Sequence, residues 1–98
     1  MREKQAWVME YVQRHGHVDV LNVHFVDAYI ERFTPRKVIY QPYGAHKVPE
    51  IGRLLSNMFR ANMLDRFPMG LQYLCGMGFP RWVYCYNLPR EQRRDRQA

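Results

Sequence analysis

The first apolar stripe along the chain predicts an amphipathic helix over residues 2–14. Its apolar residues recur at a spacing that puts them on one helical face. They are Trp7, Val8, Tyr11 and Val12. Gly16 follows where a helix end needs a positive φ angle, which glycine adopts without a steric penalty. The alternation of His17-Val-Asp-Val20 then allows either a short strand or an extended turn.

A second apolar stripe predicts another helix, which begins after Asn22 and ends at Thr34-Pro35. Asn22 suits the N-cap position because its side-chain oxygen can accept a hydrogen bond from the first helical turn. The residue before a proline disfavours the α region, so the helix should stop there. The apolar residues of this stripe are Phe25, Val26, Tyr29, Ile30 and Phe33. Residues 34–47 then form a long link, which we interpret as either a small extra strand or a functional loop.

The third predicted helix begins near Val48-Pro49, because a proline in the first turn loses no hydrogen bond. Projected at about 100° per residue, this helix divides into an apolar side and a polar side. The apolar side comprises Val48, Ile51, Leu54, Leu55, Met58 and Phe59. The polar side comprises Pro49, Arg53, Ser56, Asn57 and Arg60. Asn62 is predicted to follow the helix end, since asparagine tolerates the left-handed conformation better than other non-glycine residues.

Two apolar segments after the third helix predict an antiparallel strand pair. Met63 to Phe67 is the first predicted strand, and Trp82 to Leu88 is its partner. Strand alternation divides the second strand between two faces, with Trp82, Tyr84 and Tyr86 on one and Val83, Cys85 and Asn87 on the other. Between the strands, Pro68 to Arg81 contains three glycines and two prolines, which predicts a long hairpin tip.

Length and charge indicate one basic domain. Ninety-eight residues, 47% of them apolar, are enough for a single core and too apolar for a disordered chain. The net charge is +6, of which the four arginines and two acidic residues of residues 90–98 account for +2. We therefore expect a folded domain over residues 1–89 and a flexible basic tail over residues 90–98. A basic body favours a polyanionic partner, although charge alone fits a soluble protein of high pI equally well.

No residue pattern indicates an enzyme, a cofactor or a metal site. Cys75 and Cys85 belong to no CxxC pair and are expected to be reduced, although a hairpin could bring them together. His15-x-His17 lacks a third metal ligand at a diagnostic spacing. The chain also contains no nucleophile–base pattern, no carboxylate pairing and no glycine-rich phosphate loop. We therefore expect a binding protein.

The stretch from Ile51 to Arg66 is the most informative one, because it reads as a helix that turns directly into a strand. It resembles the recognition helix and following strand of small bacterial winged-helix transcription regulators. In those proteins a branched apolar residue, a small residue and an arginine open the helix, and a Gly-Leu-Ile-x-Arg-like segment enters the strand. Ile51-Gly-Arg53 and Ala61 to Arg66 occupy those positions here, with Asn62 in place of the usual glycine and a longer link before the helix. The later stretch Met77 to Tyr84 resembles the ending of some small phage-encoded proteins.

The resemblance implies an α+β winged-helix fold, with a three-helix unit, a two-stranded β wing and an extended link between helices 2 and 3. It also implies binding to double-stranded DNA, with the third helix in the major groove and the wing on the backbone. Arginine suits guanine and asparagine suits adenine, so Arg53 and Asn57 would contact bases, while His46 would meet a phosphate. The DNA-binding residues implied in this way are Lys47, Pro49, Arg53, Ser56, Asn57, Arg60, Arg66 and Arg81.

Several alternatives stay open. Arg53 and Arg60 can also be solvated surface residues, paired with Glu50 and Asp65. The wing tip is apolar enough to bind a protein, so the runner-up function is a winged-helix protein-interaction module of phage or plasmid origin. RNA or single-strand binding is a weaker reading, and a homodimer is compatible with either function. No long apolar run and no signal-peptide pattern is present, so we expect no membrane partner and a cytoplasmic, DNA-associated protein.

Overall fold

Among the residues that the structure describes, three helices and a small antiparallel sheet form an α+β fold. The computed structural model describes residues 2–70 and 82–89. In chain order the elements are α1 (Arg2–His15), β1 (His17–Val18), α2 (Val23–Phe33), α3 (Pro49–Arg60), β2 (Asp65–Gly70) and β3 (Trp82–Asn87). The α+β class predicted from the apolar pattern is confirmed. The predictions for the hairpin tip beyond Gly70, for Cys75, for Arg81 and for the tail over residues 90–98 lie outside the described residues.

The ends of α1 and α2 follow local chemistry. Gly16 has a φ of 91°, and its N–H donates to the Val12 carbonyl at 2.7 Å. Asn22 caps α2, because its Oδ1 accepts a hydrogen bond from the Phe25 N–H at 3.1 Å. Thr34 follows α2 at a φ of 44°, in the left-handed region, where the proline argument anticipated an extended residue. Pro35 therefore locates the helix end correctly, and the Thr34 N–H makes the last hydrogen bond of the helix, to the Ile30 carbonyl at 2.9 Å.

The α3 helix begins at Pro49, as predicted, after an extended Val48. It ends in a Schellman motif, in which the Met63 N–H donates to Met58 and the Asn62 N–H donates to Phe59. Asn62 carries the positive φ of 62° that this motif needs. Because residues up to Met63 belong to the motif, β2 starts only at Asp65 and runs to Gly70. The prediction of a strand over 63–67, with Pro68 opening a loop, was therefore wrong at both ends.

The sheet has three strands in the order β1–β3–β2, with both neighbouring pairs antiparallel. The prediction of a two-stranded sheet is corrected by β1, whose His17 and Val18 pair with Asn87 and Tyr86. The link between α2 and α3 contains no strand. The backbones of its two sides pair at the isolated bridge between Ile39 and Lys47, through hydrogen bonds of 2.8 and 3.0 Å, and Gln41 donates hydrogen bonds to Ala45 and His46 near the turn. A single bridge makes this link a closed loop.

One core collects apolar side chains from all three helices, from β1 and from β3. The predicted apolar side of α3 is confirmed, with Phe59 only half-buried and the other five residues buried. Around Trp7 the core is aromatic. Ring centroids at 5.4 to 5.8 Å from that of Trp7 belong to Tyr11, Phe25, Tyr29 and Phe33. These contacts fix α1 against α2.

Glu50, in the first turn of α3, connects that helix to the other two. Its carboxylate accepts a hydrogen bond from the Tyr29 hydroxyl on α2 and lies 2.6 Å from the Lys4 ammonium on α1. Burial, followed by the bond to Glu50, raises the pKa of Tyr29 well above its usual range, so the phenol keeps its proton and stays a donor. This three-residue contact holds the N-terminal end of α3 in place, while the opposite side of the helix faces outward.

Candidate nucleic-acid interface

The outward side of α3 carries a shallow polar depression. It is lined by Gly52, Arg53, Ser56, Asn57 and Arg60, and it holds about 320 Å³. Arg53, Asn57 and Arg60 are exposed, and Ser56 is half-buried. Spacings of three and four residues put these side chains on one helical face. Four of the residues predicted as DNA contacts are thereby brought together on a single element.

Arg53 has no ion-pair partner among the described residues. Glu50, one turn earlier, is the acidic residue of this helix, but its carboxylate is engaged by Lys4 and Tyr29. The hydrogen bond from Lys4, then that from Tyr29, holds the pKa of Glu50 below its ordinary value, with a smaller effect from the Arg53 charge. The alternative prediction, in which Glu50 forms an ion pair with Arg53, is therefore wrong, because Glu50 pairs with Lys4 instead.

Arg60 and Asn57 are neighbours within the depression. The Arg60 guanidinium lies 3.5 Å from Asn57 Oδ1, the outer limit of a hydrogen bond, and both side chains are exposed. A contact this long is easily exchanged for another partner. Asn57 and Arg60 therefore remain available to a ligand on this face.

Arg66 is held between two aromatic rings. Its guanidinium carbon lies 4.0 Å from the ring centre of Phe59, on α3, and 4.0 Å from that of Tyr84, on β3. The sheet register explains the second contact, because Arg66 pairs with Tyr86 and Pro68 pairs with Tyr84, which puts Arg66 and Tyr84 on the same face. Arg66 thus lies beside the C-terminal end of α3.

Two aromatic rings at 4.0 Å from the guanidinium carbon pack against this group without accepting its hydrogen bonds. An arginine has five N–H donors in the plane of the group, and stacked rings cover the faces while the donors point outward. No protein acceptor for these donors occurs within residues 2–70 and 82–89, and the side chain is half-buried. The clamp formed by Phe59 and Tyr84 therefore holds Arg66, a cation with no neutralising partner among the described residues, next to the polar depression.

The sequence interpretation did not predict the role of Phe59 and Tyr84 beside Arg66, because it placed Phe59 on the apolar side of α3 and Tyr84 on one face of the last strand. The signal for Tyr84 was present, since strand alternation places it on the same face as Trp82 and Tyr86. The sequence does not show the register of β2 on β3, which places Arg66 on the same face as Trp82, Tyr84 and Tyr86. Phe59 gave a weaker signal, because the helical projection counts it as apolar without showing that it sits at the edge of the core.

Lys47 and Pro49 lie apart from the polar depression. Both line an apolar groove on the other side of Gly52, between the link and the first turn of α3. His46 is engaged inside the link, where its Nδ1 accepts a hydrogen bond from the Gln41 N–H at 3.1 Å and its ring lies 4.8 Å from Tyr40. The structure therefore separates the helix-entry residues from the four contacts on the face of α3.

Exposed aromatic side chains are a second feature that sequence reasoning missed. Tyr40 and Tyr43, in the link, are 72% and 73% exposed. Trp82 is 50% exposed, next to the half-buried Tyr84 at 4.8 Å between ring centres. The apolar pattern suggested core-compatible positions for most aromatic residues, and these three depart from it.

Burial raises the pKa of the Cys85 thiol, which favours the unreactive protonated form. Residues 2–70 and 82–89 contain no cluster of three histidine, cysteine or acidic side chains placed to hold a metal ion. Within the same ranges, no helix combines the length and apolar character needed to cross a membrane.

Comparisons with known proteins assign no family to this chain. It matches no protein-family model, no curated protein and no solved structure. What the chain does must therefore be inferred from its own residues.

Proposed function

We propose that this chain is a winged-helix protein that binds double-stranded DNA sequence-specifically and regulates transcription. In this proposal α3 is the recognition helix, and the β2–β3 pair is the wing on the sugar–phosphate backbone. The order of three helices followed by an antiparallel strand pair supports it, as does the agreement of Ile51 to Arg66 with the regulator pattern.

The observation that carries the proposal is the gathering of Arg53, Ser56, Asn57 and Arg60 on the outward face of α3. The major groove of B-DNA admits an α-helix, and side chains on its outer face reach the base edges. Arginine can make two hydrogen bonds to guanine, asparagine can make two to adenine, and serine can donate or accept. This set therefore has the chemistry for direct base reading.

Arg66 fits the second half of the scheme, a fixed contact to a phosphate. Arg–phosphate contacts are stronger when two N–H donors bind in parallel, which requires the guanidinium to be held in one orientation. The rings of Phe59 and Tyr84 hold Arg66 in this way. A phosphate contact beside the end of the recognition helix would fix the register of α3 in the groove.

Titration of a labelled random-sequence duplex at several salt concentrations tests the proposal. We expect a log–log slope of about −4 to −7, which corresponds to roughly five to eight neutralised phosphates. Arg60→Ala should weaken binding, whereas Arg14→Ala, which removes an exposed arginine paired with Glu10 on α1, serves as the matched control. An affinity that stays constant between low and physiological salt would exclude DNA as the partner.

Competition between nucleic acids then distinguishes duplex DNA from the alternatives. A helix that occupies the major groove of B-DNA should prefer duplex DNA to single strands and to double-stranded RNA, whose major groove is too narrow for side chains to read. Selection of bound fragments from random duplex DNA identifies the preferred site. Equal competition by single strands would instead favour stacking on the exposed tyrosines.

A protein-interaction module is the second candidate function, and one observation favours it. Phe67 is 46% exposed and Trp82 is 50% exposed, and the sheet register puts them on opposite faces of the β2–β3 pair. Exposed aromatic residues are enriched where proteins bind each other. If this candidate is correct, Phe67→Ala and Trp82→Ala should abolish partner binding and leave the weak affinity for duplex DNA unchanged.

A further inference from the structure

An apolar groove of about 550 Å³ runs along the N-terminal end of α3. Its walls come from the segment before α2, from the link and from α3 itself. They include Val20, Leu21, Ile39, Ala45, Pro49 and Ile51. Ile39 is 44% exposed here, whereas isoleucine is one of the residue types most often buried. The volume falls within the range of about 300–1,000 Å³ that small-molecule sites occupy.

Among the described residues, Lys47 is the charged one in the wall of this groove, and none of the described carboxylates lines it. The Lys47 backbone is fixed by the bridge to Ile39, with hydrogen bonds of 2.8 and 3.0 Å. Its ammonium has no ion-pair partner within the part of the chain that the structure describes. An apolar groove with one free cation is electrostatically complementary to an apolar molecule that bears a single negative charge.

Gly52 supplies a second, independent observation. It lies inside α3, where glycine is less favourable than alanine because the flexible backbone loses more entropy. A Cβ atom built on Gly52 would meet nothing within 4 Å, so no neighbour among the described residues explains the absence of a side chain. The absence of a side chain at Gly52 therefore leaves open space where this residue lines the groove.

We propose that this groove is a binding site for a small amphiphilic carboxylate, with its aliphatic or aromatic body on the apolar walls and its carboxylate on Lys47. Moving the apolar body of the ligand from water onto the groove walls favours binding. The carboxylate gains a charge-assisted hydrogen bond, which an alcohol of the same length would make more weakly. The site is separate from the polar face of α3 apart from Gly52, which lines both, and ligand binding does not depend on the proposed DNA function.

Calorimetric titration of the DNA-free protein with decanoate, decan-1-ol and decylamine tests the charge requirement. We expect saturable binding of decanoate, weaker binding of the alcohol and the weakest binding of the amine. Lys47→Met, which keeps the apolar stem, should weaken decanoate about five- to tenfold and leave decan-1-ol unchanged, whereas Lys47→Arg should retain decanoate. Equal affinities for the three compounds, or no saturable binding of decanoate, would overturn the proposal.

Two substitutions on α3 test the location. Gly52→Leu places a side chain in the open space of the groove, and because nothing crowds that position the helix should fold with a melting temperature at least that of the wild type. Ser56→Leu adds the same side chain one turn later, on the face outside the groove, and is the control. Decanoate binding should be lost only in Gly52→Leu. Retained binding in that variant would show that the carboxylate sits elsewhere and that the groove is not its site.

Discussion

The guanidinium carbon of Arg66 lies 4.0 Å from the centre of the Tyr84 ring and 4.0 Å from the centre of the Phe59 ring. Cation–π contacts of this kind contribute about 0.5–2 kcal/mol, depending on how much water is excluded. Here they act on a cation without a neutralising partner among the described residues. The consequence is orientation, since the rings restrict the guanidinium to one plane and leave its N–H edge outward.

Removing one ring of this clamp should weaken DNA binding without removing the charge. We expect Tyr84→Ala to reduce affinity for duplex DNA by about two- to tenfold. Without this ring the Arg66 side chain is freer in the unbound protein, so it loses more conformational entropy when it binds DNA. Tyr84→Phe keeps the ring and is the control. Arg66→Ala should cost more and make the salt slope shallower by about one unit. If Tyr84→Ala lowers only the melting temperature, the clamp has a purely structural role.

Truncation at the centre of the core should destabilise the fold strongly. Leu55 is fully buried between the helices, and Leu55→Ala is expected to cost about 2–5 kcal/mol through lost burial and the cavity left behind. Ser56→Ala, at the next position on the outward side, should change stability by no more than about 0.5 kcal/mol. Urea denaturation of both variants measures the difference. If Leu55→Ala unfolds at the same urea concentration as the wild type, the packing of α3 described here is wrong.

The Glu50 contact makes part of the stability depend on pH. Its pKa in the folded state is below the unfolded value of 4.5, mainly because Lys4 and Tyr29 donate to the carboxylate. The stabilisation is therefore fully present above pH 4.5 and is lost as the pH falls through the lower folded pKa. Glu50→Gln should cost on the order of 1 kcal/mol at pH 7.

Melting curves between pH 7 and pH 3 test this contribution. The difference between the wild type and Glu50→Gln should shrink as the pH falls below 4.5 and through the lower folded pKa of Glu50, since the wild type then also carries a neutral side chain at this position. Glu10→Gln is the control, because the Glu10–Arg14 pair is exposed and should contribute little. A difference that is constant over this pH range would mean that the Glu50 charge does not contribute to folding.

Much of the helical framework could be predicted because its signals are local. Gly16, Asn22 and Asn62 each match a cap conformation that depends on the residue itself and on its nearest neighbours. The outward face of α3 was also predictable, since helical periodicity alone decides which side chains point away from the apolar stripe. For the same reason Arg53, Ser56, Asn57 and Arg60 were grouped correctly before the structure was known.

The sheet and the clamp could not be predicted in this way, because they depend on contacts between distant residues. The pairing of His17 with Asn87 joins positions seventy residues apart, and a two-residue strand carries almost no periodic signal. The position of Arg66 between Phe59 and Tyr84 needs both the register of β2 on β3 and the packing of α3 on the sheet. Lys47 was predicted as a DNA contact at the entry of α3, whereas in the structure it lines the apolar groove.

The decisive test of base reading is the effect of Arg53→Ala on specificity. If Arg53 binds a guanine in the major groove, its loss should cost about 1–3 kcal/mol on the selected duplex and much less on random DNA. Discrimination at one base pair would then relax, which competition with single-base variants of the site measures directly. Arg66→Ala should instead weaken selected and random duplexes alike, as expected of a phosphate contact. If Arg53→Ala reduces both affinities by the same factor, α3 does not read bases, and the exposed Phe67 and Trp82 make a protein partner the better candidate.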